Sequence, residues 1–106
     1  MTKLTREDYI EICKQYLIAD KENISFYLKK VYVDYEVFFW VEEYEYVKYY
    51  KKLSITPSHD IVTNYDGHEI IETKERLIDA ISEFFKNYKM KQIHVKKLEI
   101  KKDFQV

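Results

Sequence analysis

The stretch Tyr32–Tyr50, YVDYEVFFWVEEYEYVKYY, decides how this chain folds. It holds nine of the eighteen aromatic residues and five carboxylates, with Lys48 as its only base. From Glu36 to Glu43 the residues alternate as a strand does, successive side chains taking opposite faces. Both faces of that alternation are apolar: Val37, Phe39 and Val41 on one, Phe38 and Trp40 on the other. A chain of 106 residues builds one modest core. Val37, Phe39 and Val41 are therefore expected inside it. Phe38 and Trp40, on the opposite face, then need a partner, a second layer or a helix to cover them.

Moving outward from that strand, the period-two pattern extends in both directions. Upstream, Phe26 and Leu28 share one phase and Val31 and Val33 the other, with Lys29-Lys30 between, as a β-bulge would produce. Downstream, Val47, Tyr49, Lys51, Leu53 and Ile55 share a parity, which predicts a strand over Tyr46–Thr56. The link Glu43-Tyr44-Glu45 lacks the glycine common in tight hairpins. Pro57 and Ser58 end the run, and Asp66-Gly67 predicts a hairpin of Ile61–Tyr65 with His68–Glu72.

Helical spacing brackets the strands. Thr5 with Asp8 forms a capping-box variant, and Tyr9, Cys13, Tyr16 and Leu17, widened by Ile10 and Ile12, predict a helix over Arg6–Ala19. Thr73 caps a second helix with Glu75 in its first turn and an apolar stripe of Leu77, Ile78, Ile81, Phe84, Phe85 and Tyr88. Ile93 and Val95, then Lys96-Lys97, then Leu98 and Ile100 suggest a final bent strand, its lysines discouraging edge-to-edge pairing. The expected fold is α+β, a two-layer sandwich. An antiparallel sheet of four to five strands carries the N-terminal and C-terminal helices on one face, in the order α-β-β-β-(hairpin)-α-β. Residues 1–106 form a single domain without linker, repeat or low-complexity segment.

Composition bounds the chemistry. Nothing at Met1 has the basic–apolar–small form of a signal peptide, and no apolar run approaches the roughly 20 residues that span a bilayer. The lone cysteine, Cys13, cannot form an internal disulfide, sits on the helical stripe and reads as a small buried hydrophobe. A cytoplasmic setting without membrane contact is expected. Gly67 and Pro57 are the only residues of their kinds, so a phosphate-cradling glycine loop cannot be built. The net charge of −1 hides a segregation: Asp60–Glu83 carries seven acids against Lys74 and Arg76, whereas Lys86–Lys102 carries seven lysines against Glu99. Sixteen lysines against two arginines argue against base-specific nucleic-acid readout, which favours the arginine fork.

Three constellations invite a catalytic reading. Ser58-His59-Asp60 has triad residue types, but neighbours on a loop point apart, and no strained elbow presents the serine. His59, Asp60, Asp66, His68 and Glu69 match no metal-ligand spacing. Glu36, Glu42, Glu43 and Glu45 could supply a glycosidase-like acid pair, Glu36 and Glu42 flanking the aromatic floor of Phe38 and Trp40. None is compelling, and the expectation is a non-enzymatic protein without cofactor or metal.

Binding is the stronger expectation. Glu36, Phe38, Trp40, Glu42, Glu43, Tyr44 and Glu45 combine aromatic anchors with carboxylates, a composition suited to a protein partner with a basic surface or to a homodimer. The alternative is a nucleic-acid accessory protein using Lys91, Lys96, Lys97, Lys101 and Lys102. The helix–three-strand–helix order resembles double-stranded-RNA-binding domains. Their glycine-plus-lysine clamp is replaced here by Glu72-Thr73-Lys74-Glu75-Arg76.

The short lysine-, isoleucine- and tyrosine-rich chain, its acidic core Asp34–Glu45 and its ending NYDGHEIIETKERLIDAISEFF (Asn64–Phe85) resemble small phage-encoded host-takeover proteins, anti-CRISPR proteins among them. The resemblance implies an inhibitor from a phage or mobile element that blocks a host defence nuclease complex. Some members act as acidic decoys of nucleic acid. It transfers no functional residue.

Overall fold

A computed structural model describes residues 2–28 and 36–103. Helix α1 (Arg6–Lys14) is followed by β1 (Ile18–Ala19), β2 (Ser25–Tyr27), β3 (Glu36–Val41), β4 (Tyr46–Tyr49), β5 (Leu53–Ile55), β6 (Ile61–Thr63), β7 (Glu69–Ile71) and helix α2 (Lys74–Asp103). Five strands form an antiparallel sheet in the order β1-β2-β3-β4-β7, and β5 pairs with β6 in a separate two-stranded sheet. The α+β class, the antiparallel sheet and the two terminal helices are as the sequence predicts. The bend proposed at Lys29-Lys30, with Val31 and Val33 beyond it, lies outside the described residues.

Helix α1 starts where Thr5 accepts a hydrogen bond from the Asp8 N–H at 3.1 Å, with Glu7 and Asp8 at the positive end of its dipole. It stops at Lys14, short of the expected Ala19, because Ile18–Ala19 pairs with Phe26–Tyr27 as β1. The preceding segment docks on α2: Leu4 N–H donates to the Glu72 carbonyl at 2.9 Å, and Thr2 N–H donates to the Glu75 carboxylate at 3.0 Å. These bonds hold Glu75 below its usual pKa, its own backbone amide contributing first and Thr2 next.

Three expectations need correction. The sheet is turned over relative to the expected faces. Phe38 and Trp40 are buried beneath the helices, whereas Phe39 and Val41 are only half-buried on the other side. The register explains this. Phe26 faces Phe38 but Tyr27 faces Glu36, so Val37 is a bulge residue and joins Phe38 inside. Across β4, Phe38 meets Tyr49 and Trp40 meets Val47, while Phe39 is paired with Lys48. Sending Lys48 outward sends Phe39 with it, and the inward choice buries the two large rings, each worth about 150–250 Å².

The Asp66-Gly67 hairpin does not form either. Ile61–Thr63 pairs with Leu53–Ile55, and Glu69–Ile71 pairs with β4. The β5–β6 turn is Pro57-Ser58-His59, closed by Thr56 N–H to the Asp60 carbonyl at 2.8 Å, with His59 left-handed at φ 65°. That is the three-residue hairpin with a left-handed last position. The glycine-free β3–β4 loop likewise places Glu45 at φ 51°.

The expected last strand is helix: α2 runs unbroken for 30 residues. No glycine or proline interrupts it, and each residue added to a nucleated helix costs little compared with starting a new element. At about 1.5 Å per residue it is about 45 Å long. The protein measures 54 × 27 × 25 Å, so the distal turns extend past the core. Its inner stripe of Leu77, Ala80, Ile81 and Phe84 is buried. Arg76 forks onto both Glu69 carboxylate oxygens and reaches Glu83 at 3.4 Å, fixing α2 over β7.

Tyr9 organises the core. Its ring stacks on Trp40 (5.6 Å between centroids), meets Phe26 edge-on (5.1 Å), and its hydroxyl donates to the Ile24 carbonyl at 2.6 Å. Phe38 stacks on Tyr49 at 4.9 Å. Burial raises the Tyr9 phenol and the Cys13 thiol well above their usual values, leaving Cys13 an unreactive core residue.

Candidate functional site

The seven residues expected to bind a partner separate into four groups. Phe38 and Trp40 are core. Glu42 accepts the Trp40 indole N–H and lies 4.0 Å from Arg6, so it orients an interior ring from the rim. Glu43, Tyr44 and Glu45 form the exposed β3–β4 loop, where Tyr44 is 68% exposed and Glu45 pairs with Lys3 at 3.0 Å. Glu36 stands at the opposite end of β3. Glu42 is six residue steps along the chain from Glu36, roughly 20 Å, far beyond the roughly 5–9.5 Å of a glycosidase pair.

What replaces the expected surface is the sheet's outer face. Register puts Ser25, Phe39, Lys48 and Ile70 in one row across β2, β3, β4 and β7, with Val41 beside Tyr46 in the next. Among the described residues the helices pack on the inner face, and Ile70 remains 48% exposed. Tyr46 stacks on Tyr44 (5.8 Å, 9°), and these rings line a cavity of about 550 Å³ with Lys3, Glu45, Glu72 and Thr73. The outer face is thus aromatic, open along Phe39–Ile70, and bordered at its loop end by Glu43, Glu45 and Glu72. Sequence reasoning passed over Phe39, Tyr46 and Ile70 as core or strand filler. Lys48 was the available signal, since a strand's lysine marks its solvent side and hairpin pairing carries that assignment to Phe39.

Two other surfaces have chemical character. Between α1 and α2 a groove of about 700 Å³ has Ile12, Ile81 and Phe85 in its walls and Tyr16 and Ile78 exposed at its rim. Asp8 and Lys74, 4.0 Å apart, lie at one end. On the far side Lys51, Lys52, Lys91 and His94 gather around a cavity of about 640 Å³ whose lining, among the described residues, holds no carboxylate, though Lys51 pairs with Glu69 at 3.5 Å beside it. Of the lysines proposed for nucleic acid, Lys91 belongs to this cluster, Lys96 and Lys97 are exposed farther along α2, and Lys101 and Lys102 fall in its last turn. The helical rather than extended form spreads Lys91, Lys96 and Lys97 around the axis.

Ser58, His59 and Asp60 are turn residues, with Asp60 N–H bonded to the Thr56 hydroxyl at 3.0 Å. Among the described residues no three His, Cys, Asp or Glu side chains converge as metal ligands. None of the described helices is long and apolar enough to cross a membrane. Compared with known proteins, the chain matches no family model, no curated protein and no solved structure.

Proposed function

We propose that this chain is a non-enzymatic protein-binding module that docks a partner with a basic surface on the outer face of its sheet. One observation carries the reading. The face presents Phe39, Tyr46 and the half-exposed Ile70 around Lys48, and ends in a loop of exposed carboxylates and Tyr44. Aromatic anchors inside a charged border are the composition of energetic hot spots, and the carboxylates would steer a basic partner to them. The resemblance to phage anti-defence proteins supports a specific form of this function. The partner would be a nucleic-acid-binding subunit of a host defence nuclease, and the bound module would block its activity.

The test pairs capture with inhibition. The tagged protein is used to retain partners from the host and is added to the host's defence nuclease, beside a Tyr44→Ala/Ile70→Thr variant. Both altered side chains are largely solvent-exposed, so the fold should persist. The expected result is a loss of tenfold or more in partner retention and in nuclease inhibition at unchanged melting temperature. Full retention by the variant would overturn the assignment of the outer face.

A second reading is favoured by the cluster of Lys51, Lys52, Lys91 and His94, in which Lys51 also pairs with Glu69 at 3.5 Å. There the protein would bind nucleic-acid phosphates. Lys91→Ala should lower the salt dependence of oligonucleotide binding by about one unit of slope. No retention of oligonucleotide by the intact protein at low salt would end this reading.

A further inference from the structure

At the end of the outer face remote from the β3–β4 loop, five side chains from four segments line an open cavity of about 410 Å³: Tyr27, Glu36, Tyr50, Tyr65 and His68. Tyr27 closes β2 and faces Glu36, the first residue of β3. Tyr50 follows β4, its N–H donating to the Val37 carbonyl at 2.8 Å. Tyr65 and His68 flank the turn that leads into β7. That turn is held by Asp66 N–H to the Asn64 side chain (2.8 Å), by Gly67 N–H to the Tyr65 carbonyl (3.0 Å), and by Asn64 to the Ser54 hydroxyl (3.1 Å). Gly67 at φ +102° permits it.

The rings do not lie flat. Tyr50 meets Tyr65 at 81° with centroids 5.0 Å apart and His68 at 66° and 5.8 Å. Ring planes thus turn around the cavity instead of forming one platform, which distinguishes it from a surface on which a sugar or base would stack. Burial and then the nearby Glu36 carboxylate raise the Tyr50 phenol above its usual pKa, so Glu36 acts on the ring wall itself. Among the described residues no lysine or arginine lines the cavity, and its one carboxylate disfavours an anion. Aromatic faces present negative potential, and with a carboxylate beside them they attract a cation that can shed its water. A metal ion would need several hard or imidazole ligands, whereas a methylated ammonium needs ring faces and one counter-charge.

We propose that Tyr27, Tyr50, Tyr65 and His68 with Glu36 form an aromatic cage for a trimethylammonium-type cation. The cage adjoins the Phe39–Lys48–Ile70 row of the docking face, but it is read with small cations, so its binding can fail while partner capture holds, and the reverse. Its source would be a methylated lysine side chain or a small choline-like molecule.

Titration of the intact protein followed by NMR tests it, with tetramethylammonium, choline, a trimethyl-lysine peptide and uncharged 3,3-dimethylbutanol as probes. Saturable shifts confined to the tyrosine and histidine ring signals of the cage are expected for tetramethylammonium. The uncharged isostere of choline should bind at least tenfold more weakly than choline. Glu36→Gln should weaken tetramethylammonium severalfold and Tyr65→Leu about tenfold, whereas Tyr50→Phe, which keeps the ring, should bind within about twofold of the parent. Tighter binding of the peptide than of choline would assign the source to methyl-lysine, and the reverse to a small molecule. Equal binding of choline and dimethylbutanol, or no saturable shift with any cation while the spectrum shows a folded protein, would overturn the proposal.

Discussion

The two faces of strand β3 carry similar residues and opposite tasks. Phe38 and Trp40 are locked between α1 and the neighbouring strands, with Tyr9 stacked on one and Tyr49 on the other. Phe39 and Val41, one residue out of phase, lie half-exposed beside Lys48 and Tyr46. Hydrophobicity did not select between these faces, because both are apolar. Selection came from cross-strand pairing, from the bulge at Val37, and from the larger area buried when the two bigger rings go inside. The lesson is that an apolar strand face is left toward solvent when a charged cross-strand neighbour ties it there.

The sharpest way to break this comparison is to truncate one ring from each face. Trp40→Ala removes a fully packed side chain and its stacking on Tyr9, and should cost about 3–5 kcal/mol, a large fraction of the roughly 5–15 kcal/mol that holds such a domain folded. Phe39→Ala, at a half-exposed position, should cost less than half as much. Chemical denaturation of the two variants checks the ratio, and equal losses would mean that both faces are core.

Next in size is the clamp joining the inner layer to α2. Arg76→Ala should cost about 1–2 kcal/mol, since it breaks a forked, partly shielded pair with Glu69. The clamp also sets a pH dependence. Hydrogen bonding to Arg76, the largest cause, holds Glu69 below its ordinary value of 4.5. A depressed folded-state pKa gives stability that is full above the unfolded value and is lost as pH falls through the folded one. The melting temperature should therefore drop from about pH 5 downward, and Glu69→Gln should flatten that fall.

A smaller effect is expected from Tyr9→Phe, which keeps both ring contacts but leaves the Ile24 carbonyl without its hydroxyl donor. The cost should be about 1 kcal/mol by thermal melting. The smallest belongs to the outer face: Tyr44→Ala with Ile70→Thr should move stability by about 0.5 kcal/mol or less while weakening partner binding. A large loss of stability in that pair would place the outer face in the core and remove the contrast.

Much of the fold was legible in the chain. The Thr5 cap, the Tyr9–Cys13 stripe, the Thr73 cap with its Leu77–Phe84 stripe, and the antiparallel run through β3 and β4 all follow from local spacing. Three features did not. The Val37 bulge depends on which residue of β2 meets β3, a long-range register that no local pattern encodes. The Asp66-Gly67 pair reads as a hairpin turn by local chemistry, yet β6 and β7 join different sheets because β5 and β4 compete for them. The spacing of Ile93, Val95, Leu98 and Ile100 suits a strand, but attachment to a running helix outweighs it. Of the candidate site, Glu43, Tyr44 and Glu45 were legible because loop carboxylates face water in any register. The Phe39–Ile70 strip and the Tyr27–Tyr50–Tyr65 cage were not, being assembled by strand pairing across distant segments.

The inside-out assignment of β3 has a direct reporter, because Trp40 is the only tryptophan. Its fluorescence in the native protein, measured with and without acrylamide, reads the polarity and accessibility of that one side chain. A ring stacked under Tyr9 and 3% exposed predicts emission shifted to the blue of the unfolded chain and resistance to the quencher. Emission and quenching equal to those of the unfolded chain would place Trp40 on the solvent face and contradict the account.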